Sequence, residues 1–185
     1  MNKEKPPDNF SGDVRKDTTE MMGAKWAKGW EENIEDERMA ETWLDAFEHR
    51  LGKLGIEIKD SKVLEIGSGN SVFLNHLRKK GVDVIGVDAR PRGKTEGLPV
   101  VAARIEQLPF PDETFGVVLS NAVFDDSVYN QDYYLMMEEI CRVLKHGGVY
   151  AATLNRTEES VENLKLISSP KDGFMDSLIN IFRKV

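Results

Sequence analysis

A glycine turn and a later carboxylate are the residues of this chain whose types and spacing suit ligand binding. The turn is Gly67-Ser68-Gly69, and Asp88 follows Gly69 by 19 residues. Glycine lets the backbone turn sharply and approach a ligand closely, which a Cβ would prevent. A carboxylate at about that spacing (~20 residues) reaches ribose hydroxyls in a βαβ unit. The pair therefore indicates a nucleoside-binding site.

Two strands and a helix must position these residues. Apolar runs predict strands at 62–66 and 83–87, and the segment 72–80, closed by Gly81, predicts the helix between them. A ligand at the start of that helix meets free N–H groups and the positive end of the helix dipole. The alternation continues beyond this unit and predicts an α/β fold with a parallel sheet. The further predicted elements are strands at 99–103, 115–120 and 148–154 and a helix at 131–146.

The N-terminal region precedes this alternation. Residues 1–20 are polar and predict a disordered tail, and residues 21–185 are expected to form one domain. An apolar stripe at helical spacing predicts a long helix over 31–54 that packs on the core. Trp26 and Trp30 either pack on the domain or belong to a lid over a ligand.

Composition narrows the classes of function. The 185 residues carry a formal charge of −7 with a pI of about 5.1, which argues against a broad nucleic-acid footprint. One cysteine and a polar N-terminus favour a cytoplasmic protein. No apolar run approaches the ~20 residues of a membrane span. The three histidines and the cysteine lack metal-ligand spacing.

The motifs together resemble those of the class I S-adenosylmethionine-dependent methyltransferases, in the small-molecule branch that includes the ubiquinone and menaquinone biosynthesis enzymes. The resemblance covers about residues 62–155. It implies a Rossmann-like, doubly wound sheet of six or seven mostly parallel strands, with helices on both faces and an added N-terminal helix. It also implies S-adenosylmethionine as cofactor, S-adenosylhomocysteine as product and a small-molecule acceptor. The motifs lie at 63–69, 84–89, 104–118, 119–126 and 144–150.

The family's cofactor-binding residues carry over onto the matching positions. The resemblance places Glu65 near the methionine amino group, Asp88 on both ribose hydroxyls and Ala89 by the adenine. It assigns no catalytic residue and no metal ligand. The other positions that it implies are Gly67, Ser68, Gly69, Asn121 and Ala122 at the methionine end, and Ile105 and Glu106 at the adenine.

The chain departs from the family pattern at four places. Ser71 stands where a third glycine is common, which a negative φ would allow. Arg104 replaces the aspartate that contacts the adenine amino group, so adenine recognition moves to Ile105 or Glu106. Gly116 replaces an aspartate. After residue 155 we expect a helix at 158–167 and one strand at 178–183, with little room for the family's C-terminal two-stranded hairpin.

Two other functions are alternatives to methyl transfer. A nicotinamide-dependent oxidoreductase requires Gly-x-Gly-x-x-Gly, and position 72 is valine. A catalytically degenerate cofactor- or partner-binding module stays open because of Arg104 and Gly116. The Asp125–Asp126 pair either orients or deprotonates a substrate, or one of the two caps the next helix or faces water.

Three further side chains have simpler interpretations. Cys141, inside a predicted helix, is interpreted as a buried inert thiol, because nothing nearby in the sequence would lower its pKa. Tyr133 fits the apolar stripe of the same helix, and His146 is interpreted as solvated or as a cation at the helix end.

Overall fold

A seven-stranded sheet forms the centre of the molecule. The computed structural model describes residues 37–91, 97–124, 133–154, 162–169 and 179–185. The strands are β1 (Lys62–Ile66), β2 (Asp83–Asp88), β3 (Val100–Ala102), β4 (Phe115–Phe124), β5 (Leu144–Leu154), β6 (Leu164–Ser168) and β7 (Ile179–Lys184).

The strand order is β3-β2-β1-β4-β5-β7-β6. Strands β1 to β5 run parallel, and β7 lies antiparallel between β5 and β6. The order reverses between β1 and β4, which in an open α/β sheet marks the ligand crevice beyond the carboxyl ends of the strands. The prediction of a doubly wound, mostly parallel sheet is confirmed.

Helices cover both faces of the sheet. Helices α1 (Glu37–Gly52) and α2 (Val72–Lys79) pack on one face, and α3 (Tyr133–Val143) packs on the other. Alternate strand residues supply the two cores because successive side chains of a strand point to opposite faces. Val63, Val117 and Val149 face α1 and α2, whereas Leu64, Val118 and Tyr150 face α3.

Helix α1 corresponds to the described part of the long helix predicted over 31–54, and it ends at Gly52, two residues earlier than expected. Its stripe is fully buried at Ala40, Leu44, Phe47 and Leu51, as its spacing predicted. The last turn also reaches the far edge of the sheet, where Arg50 Nη2 donates to Ser168 Oγ at 2.8 Å and to the Ile179 carbonyl at 3.1 Å. Helix α1 is thus bonded to both β6 and β7.

The C-terminal prediction was wrong in two respects. Residues 164–168 form strand β6 where a helix was expected, and the chain does build the two-stranded antiparallel hairpin β6–β7. Asn163, at a φ of 65°, turns the chain immediately before β6. The predicted strand at 178–183 is confirmed over its described part as β7.

The end of α3 also differs from the prediction. The helix stops at Val143 and not at residue 146, because Leu144 already pairs with Phe115 in β4. The register then shifts, and pairing resumes with Val149 against Val117. His146 lies in this irregular stretch and is exposed, which agrees with a solvated side chain.

Several sequence-based predictions fall outside the described residues. These are the disordered tail at 1–20, the two tryptophans Trp26 and Trp30, the Asp125–Asp126 pair, and the segments 31–36, 131–132 and 158–161 of the predicted helices.

Candidate functional site

The glycine turn and Asp88 meet at the carboxyl ends of β1 and β2. Gly69 N–H donates to Asp88 Oδ2 at 2.9 Å, and Arg90 N–H donates to Asp88 Oδ1 at 2.6 Å. An ionised carboxylate has about four acceptor positions, so two backbone bonds leave positions for two further donors. The structure therefore brings together the two residues that the sequence spacing linked. Asp88 can still accept hydrogen bonds from two hydroxyls.

The turn is tied to the neighbouring strand. Gly67 N–H and Ser68 N–H both donate to the Val87 carbonyl, at 2.7 and 3.1 Å. Gly67 and Gly69 have φ values of 73° and 48°, a region that glycine enters without a Cβ penalty. These bonds fix the turn against β2 immediately ahead of helix α2.

Ser71 corrects one expectation. Its φ is 64°, so the chain retains the left-handed conformation without the glycine that the family often has there. The Ser71 N–H donates to the Ser68 carbonyl at 2.6 Å, and the Ser71 carbonyl accepts from Asn75 at the start of α2. Its hydroxyl is buried and has no hydrogen-bond partner among the described residues.

Gly86 in β2 serves the packing of this turn. A Cβ at Gly86 would lie 2.9 Å from Ser68 Cβ and 3.3 Å from Leu74 Cδ2 in α2. The glycine in the strand therefore admits the turn and the helix.

Glu65 lies one residue before the end of β1, between Gly86 of β2 and Leu119 of β4. Its side chain is 4% exposed. A buried carboxylate is stable only with polar or charged partners. Its place near the switch point is the one that the resemblance gives to the residue near the methionine amino group.

The end of β4 contributes Asn121 and Ala122. Thr153 Oγ1 of β5 donates to Asn121 Oδ1 at 3.3 Å, which orients the half-buried amide at the switch point. Val123 lies against the turn, since a Cβ on Gly67 would collide with its methyl groups. Sequence reasoning did not single out Val123, because an apolar residue at a strand end resembles ordinary core.

The adenine side of the predicted site is built by the 3-10 turn Ile105–Gln107, which is the turn that follows β3. Arg104 Nη2 pairs with Glu106 Oε1 at 2.9 Å, and their side chains are 24% and 16% exposed. The Ala103 N–H donates to the Asp88 carbonyl at 3.1 Å, so this segment begins beside Asp88 and Ala89. A carboxylate therefore remains here despite the loss of the usual aspartate.

Gly116 lies at the opposite, amino end of the sheet. A Cβ there would lie 2.9 Å from Ser61 Oγ, so the glycine admits Ser61. This departure concerns packing and is remote from the cofactor edge. A cavity of about 380 Å³ lies beside the same end of the sheet, lined by Glu48, Ile56, Glu57, Ile58, Lys59, Lys80 and Val82.

Cys141 and Tyr150 lie in the core beneath α3. Burial raises the pKa of the Cys141 thiol, which keeps it protonated and inert, as the sequence suggested. Burial also raises the pKa of Tyr150 well above 10, and its hydroxyl lies 2.8 Å from Ser120 Oγ. Among the described residues, no group of His, Cys, Asp and Glu side chains could hold a metal ion. No helix in the described part of the chain is long and apolar enough to cross a membrane.

Comparison with known proteins shows which family this domain is similar to. Residues 64–152 match the family described as "Methyltransferase domain". An uncharacterized protein of Methanocaldococcus jannaschii is 34% identical over 111 residues, which are 57% of this chain and 52% of that protein. The ubiquinone biosynthesis O-methyltransferase of Paramagnetospirillum magneticum is 34% identical over 109 residues, 53% of this chain and 42% of the enzyme. The chain thus spans about half the length of the curated relatives that it matches.

Solved structures agree with this finding. A protein from Galdieria sulphuraria, named provisionally as a sarcosine dimethylglycine methyltransferase, has a TM-score of 0.50 and 25% identity. The likeness covers 62% of this chain and 46% of that one. The resemblance inferred from the motifs is confirmed by the family match and by these relatives.

Proposed function

We propose that this chain, which carries a class I S-adenosylmethionine-dependent methyltransferase domain, transfers a methyl group from S-adenosylmethionine to a small-molecule acceptor. The observation that carries the proposal is the bond from Gly69 N–H to Asp88 Oδ2 at 2.9 Å. It unites the glycine turn and the ribose-binding carboxylate at the switch point of the sheet.

The residues of the turn fit the cofactor. Gly67 and Gly69 keep the left-handed φ values that a Cβ-free turn requires. The hydroxyls of Ser68 and Ser71 are buried without a hydrogen-bond partner in the described part of the chain. Buried hydroxyls rarely lack partners, so polar groups of a bound ligand are a reasonable complement to this turn.

Each predicted residue has a role in holding that cofactor. Asp88 would accept from the ribose hydroxyls, and Glu106, steadied by Arg104, would accept from the adenine amino group. Glu65 and the Asn121–Ala122 pair would hold the methionine end. These assignments rest on the family resemblance and on the position of each residue at one edge of the sheet.

Methyl transfer from S-adenosylmethionine requires little acid–base catalysis by the protein. S-adenosylmethionine supplies a methyl group on a sulfonium, which is an activated leaving group. The chain's own residues bind and orient it so that an acceptor can attack in line, and they exclude water. A general base is required only for an acceptor that is protonated at the working pH. We assign no catalytic residue.

A small-molecule acceptor has two supports. Relatives such as the ubiquinone biosynthesis O-methyltransferase are named for small molecules. The net charge of −7 opposes a broad contact with nucleic acid. The same composition and the single cysteine support a cytoplasmic enzyme.

The proposal is tested by calorimetric titration with S-adenosylmethionine and, separately, with NADH. We expect micromolar binding of the first and none of the second. Asp88→Asn should weaken binding by about 10- to 100-fold, because hydrogen bonds to a charged group contribute ~1.5–3 kcal/mol each. Asp83→Asn, at the exposed start of the same strand, is the matched control and should bind normally. Absence of binding by folded wild type would overturn the proposal.

A second candidate is a degenerate module that binds a cofactor or partner without catalysis. It is favoured by Val123, which packs beside Gly67 where the methionine end would approach, and by Arg104. S-adenosylmethionine binding that is not followed by label transfer to any acceptor class in a radiolabelled-methyl screen would support this candidate. Transfer to any small molecule would exclude it.

A further inference from the structure

The loop that carries the predicted adenine contacts is fastened to helix α3 by one arginine. Arg142 lies in the last turn of α3, and the loop runs from Arg104 to Thr114 between β3 and β4. Arg142 Nη2 donates to the Leu108 carbonyl at 3.0 Å, and Nη1 donates to the Phe110 carbonyl at 2.8 Å. Leu108 directly follows the 3-10 turn that contains Ile105 and Glu106.

All five N–H donors of this guanidinium are used. Besides the two carbonyls, Nη1 donates to Asp112 Oδ1 at 2.7 Å, and Nε and Nη2 donate to Glu139 Oε1 and Oε2 at 2.7 and 2.9 Å. The planar fork of arginine supplies this number of donors in fixed directions, whereas lysine offers three from a point charge. These bonds raise the pKa of Arg142 further, so it remains charged.

Glu139 completes the attachment from the same helix. Its Oε2 accepts the Leu108 N–H at 2.8 Å, while both oxygens hold Arg142. Leu108 therefore has its N–H and its carbonyl bonded to two side chains one helical turn apart. The Leu108 side chain is also buried, at 4% exposure. The chain on the far side of the loop is fixed by backbone bonds from Glu113 and Thr114 to Arg142 and Val143.

We propose that Arg142, with Glu139, is a positioning residue that sets the 3-10 turn Ile105–Gln107 for recognition of the adenine amino group. The side-chain bonds of Arg142 go to Leu108, Phe110, Asp112 and Glu139, none of which is assigned to the cofactor. Arg142 acts through Leu108, which is the residue next to the turn. The inference rests on the proposed function, because adenine recognition presumes an adenosyl ligand.

The test compares two ligands that differ at one group of the base. S-adenosylhomocysteine carries the 6-amino group, and S-inosylhomocysteine carries an oxygen there. Wild type should prefer the adenosyl ligand by about tenfold, the value of one hydrogen bond at ~1.4 kcal/mol. Arg142→Lys keeps the charge but lacks the fork, so the preference should fall to about threefold or less in calorimetric titrations.

Lys80→Met is the matched control. It breaks the exposed ion pairs of Lys80 with Asp45 and Glu48, on the other face of the sheet, and leaves the loop intact. It should keep the tenfold preference. Arg142→Lys protein that remains folded and retains the full preference would overturn the inference, whatever its stability. Failure of wild type to bind S-adenosylhomocysteine would overturn the proposed function and this inference with it.

Discussion

Ser71 shows how a single residue can retain a conformation that its side chain disfavours. Its φ of 64° satisfies the turn between β1 and α2, where the Ser71 N–H and carbonyl both hold backbone bonds. A non-glycine residue in the left-handed region costs ~1–2 kcal/mol. The bonds of the turn and the helix that follows it must offset this cost. The backbone geometry of the glycine motif is therefore preserved although position 71 is serine.

We predict that Ser71→Gly stabilises the protein. Relief of the left-handed strain should exceed the entropy cost of the added glycine, ~0.5–1 kcal/mol, and give a net gain of about 0.5–1 kcal/mol in the free energy of unfolding. Urea denaturation measures it. Ser71→Ala removes the same buried hydroxyl but keeps the Cβ, so it isolates the backbone effect. A Ser71→Ala protein as stable as Ser71→Gly would contradict the explanation.

At the scale of elements, Gly86 joins strand β2, the glycine turn and helix α2. Gly86→Ala would bring a Cβ within 2.9 Å of Ser68 Cβ and 3.3 Å of Leu74 Cδ2. Overpacking of this kind costs ~1–3 kcal/mol, and we expect that loss in urea denaturation, together with weaker S-adenosylmethionine binding because Ser68 belongs to the turn.

Gly52→Ala is the control for this prediction. Gly52 ends α1, and a Cβ there meets nothing within 4 Å. Alanine should therefore stabilise the helix end by about 0.5–1 kcal/mol with no change in binding. If both alanine variants changed stability and binding alike, the packing explanation for Gly86 would be wrong.

The same scale shows what the sequence could predict. Strands β1 to β5 and the site at their carboxyl ends were predictable, because buried apolar runs and the glycine turn are local signals. Strand β6 was not, since its burial alternates along the edge strand but the exposed Ile167 hides that alternation in the sequence, and only Leu164 is fully buried. Its pairing with β7 and the bonds from Arg50 of α1 decide its conformation, and these contacts are distant in sequence.

In the candidate site, too, one contact was predictable from the sequence and another was not. The Gly69–Asp88 contact was expected from spacing, since Asp88 ends β2 and Gly69 lies in the turn that follows the adjacent parallel strand β1. The attachment of the adenine loop by Arg142 was not expected, because its bonds join residues 30 to 34 positions apart with no motif to mark them. Side chains that support a loop from a neighbouring helix leave no local pattern.

At the scale of the whole molecule, the core on the α3 face contains a tyrosine that must stay neutral. Tyr150 is fully buried, stacks on Phe182 and lies 2.8 Å from Ser120 Oγ. Burial raises its pKa well above the ordinary value of 10.0, because the phenolate would lose its solvation. The folded protein therefore binds this proton more tightly than the unfolded chain does.

The consequence is a loss of stability at alkaline pH. The contribution of this group is fully present below pH 10, where both states are protonated, and is lost as pH rises toward the folded-state pKa. Above pH 10 the free energy of unfolding should fall on account of Tyr150, with a slope that steepens toward ~1.4 kcal/mol per pH unit as the unfolded phenol ionises. Urea denaturation across this range measures the slope.

Tyr150→Phe should remove about that share of the slope, even though the variant leaves Ser120 without its partner at every pH. Tyr134→Phe, at a position 64% exposed, should leave the slope unchanged. Equal slopes for wild type and Tyr150→Phe would show that the phenol ionises without unfolding, and that the core admits water at this face.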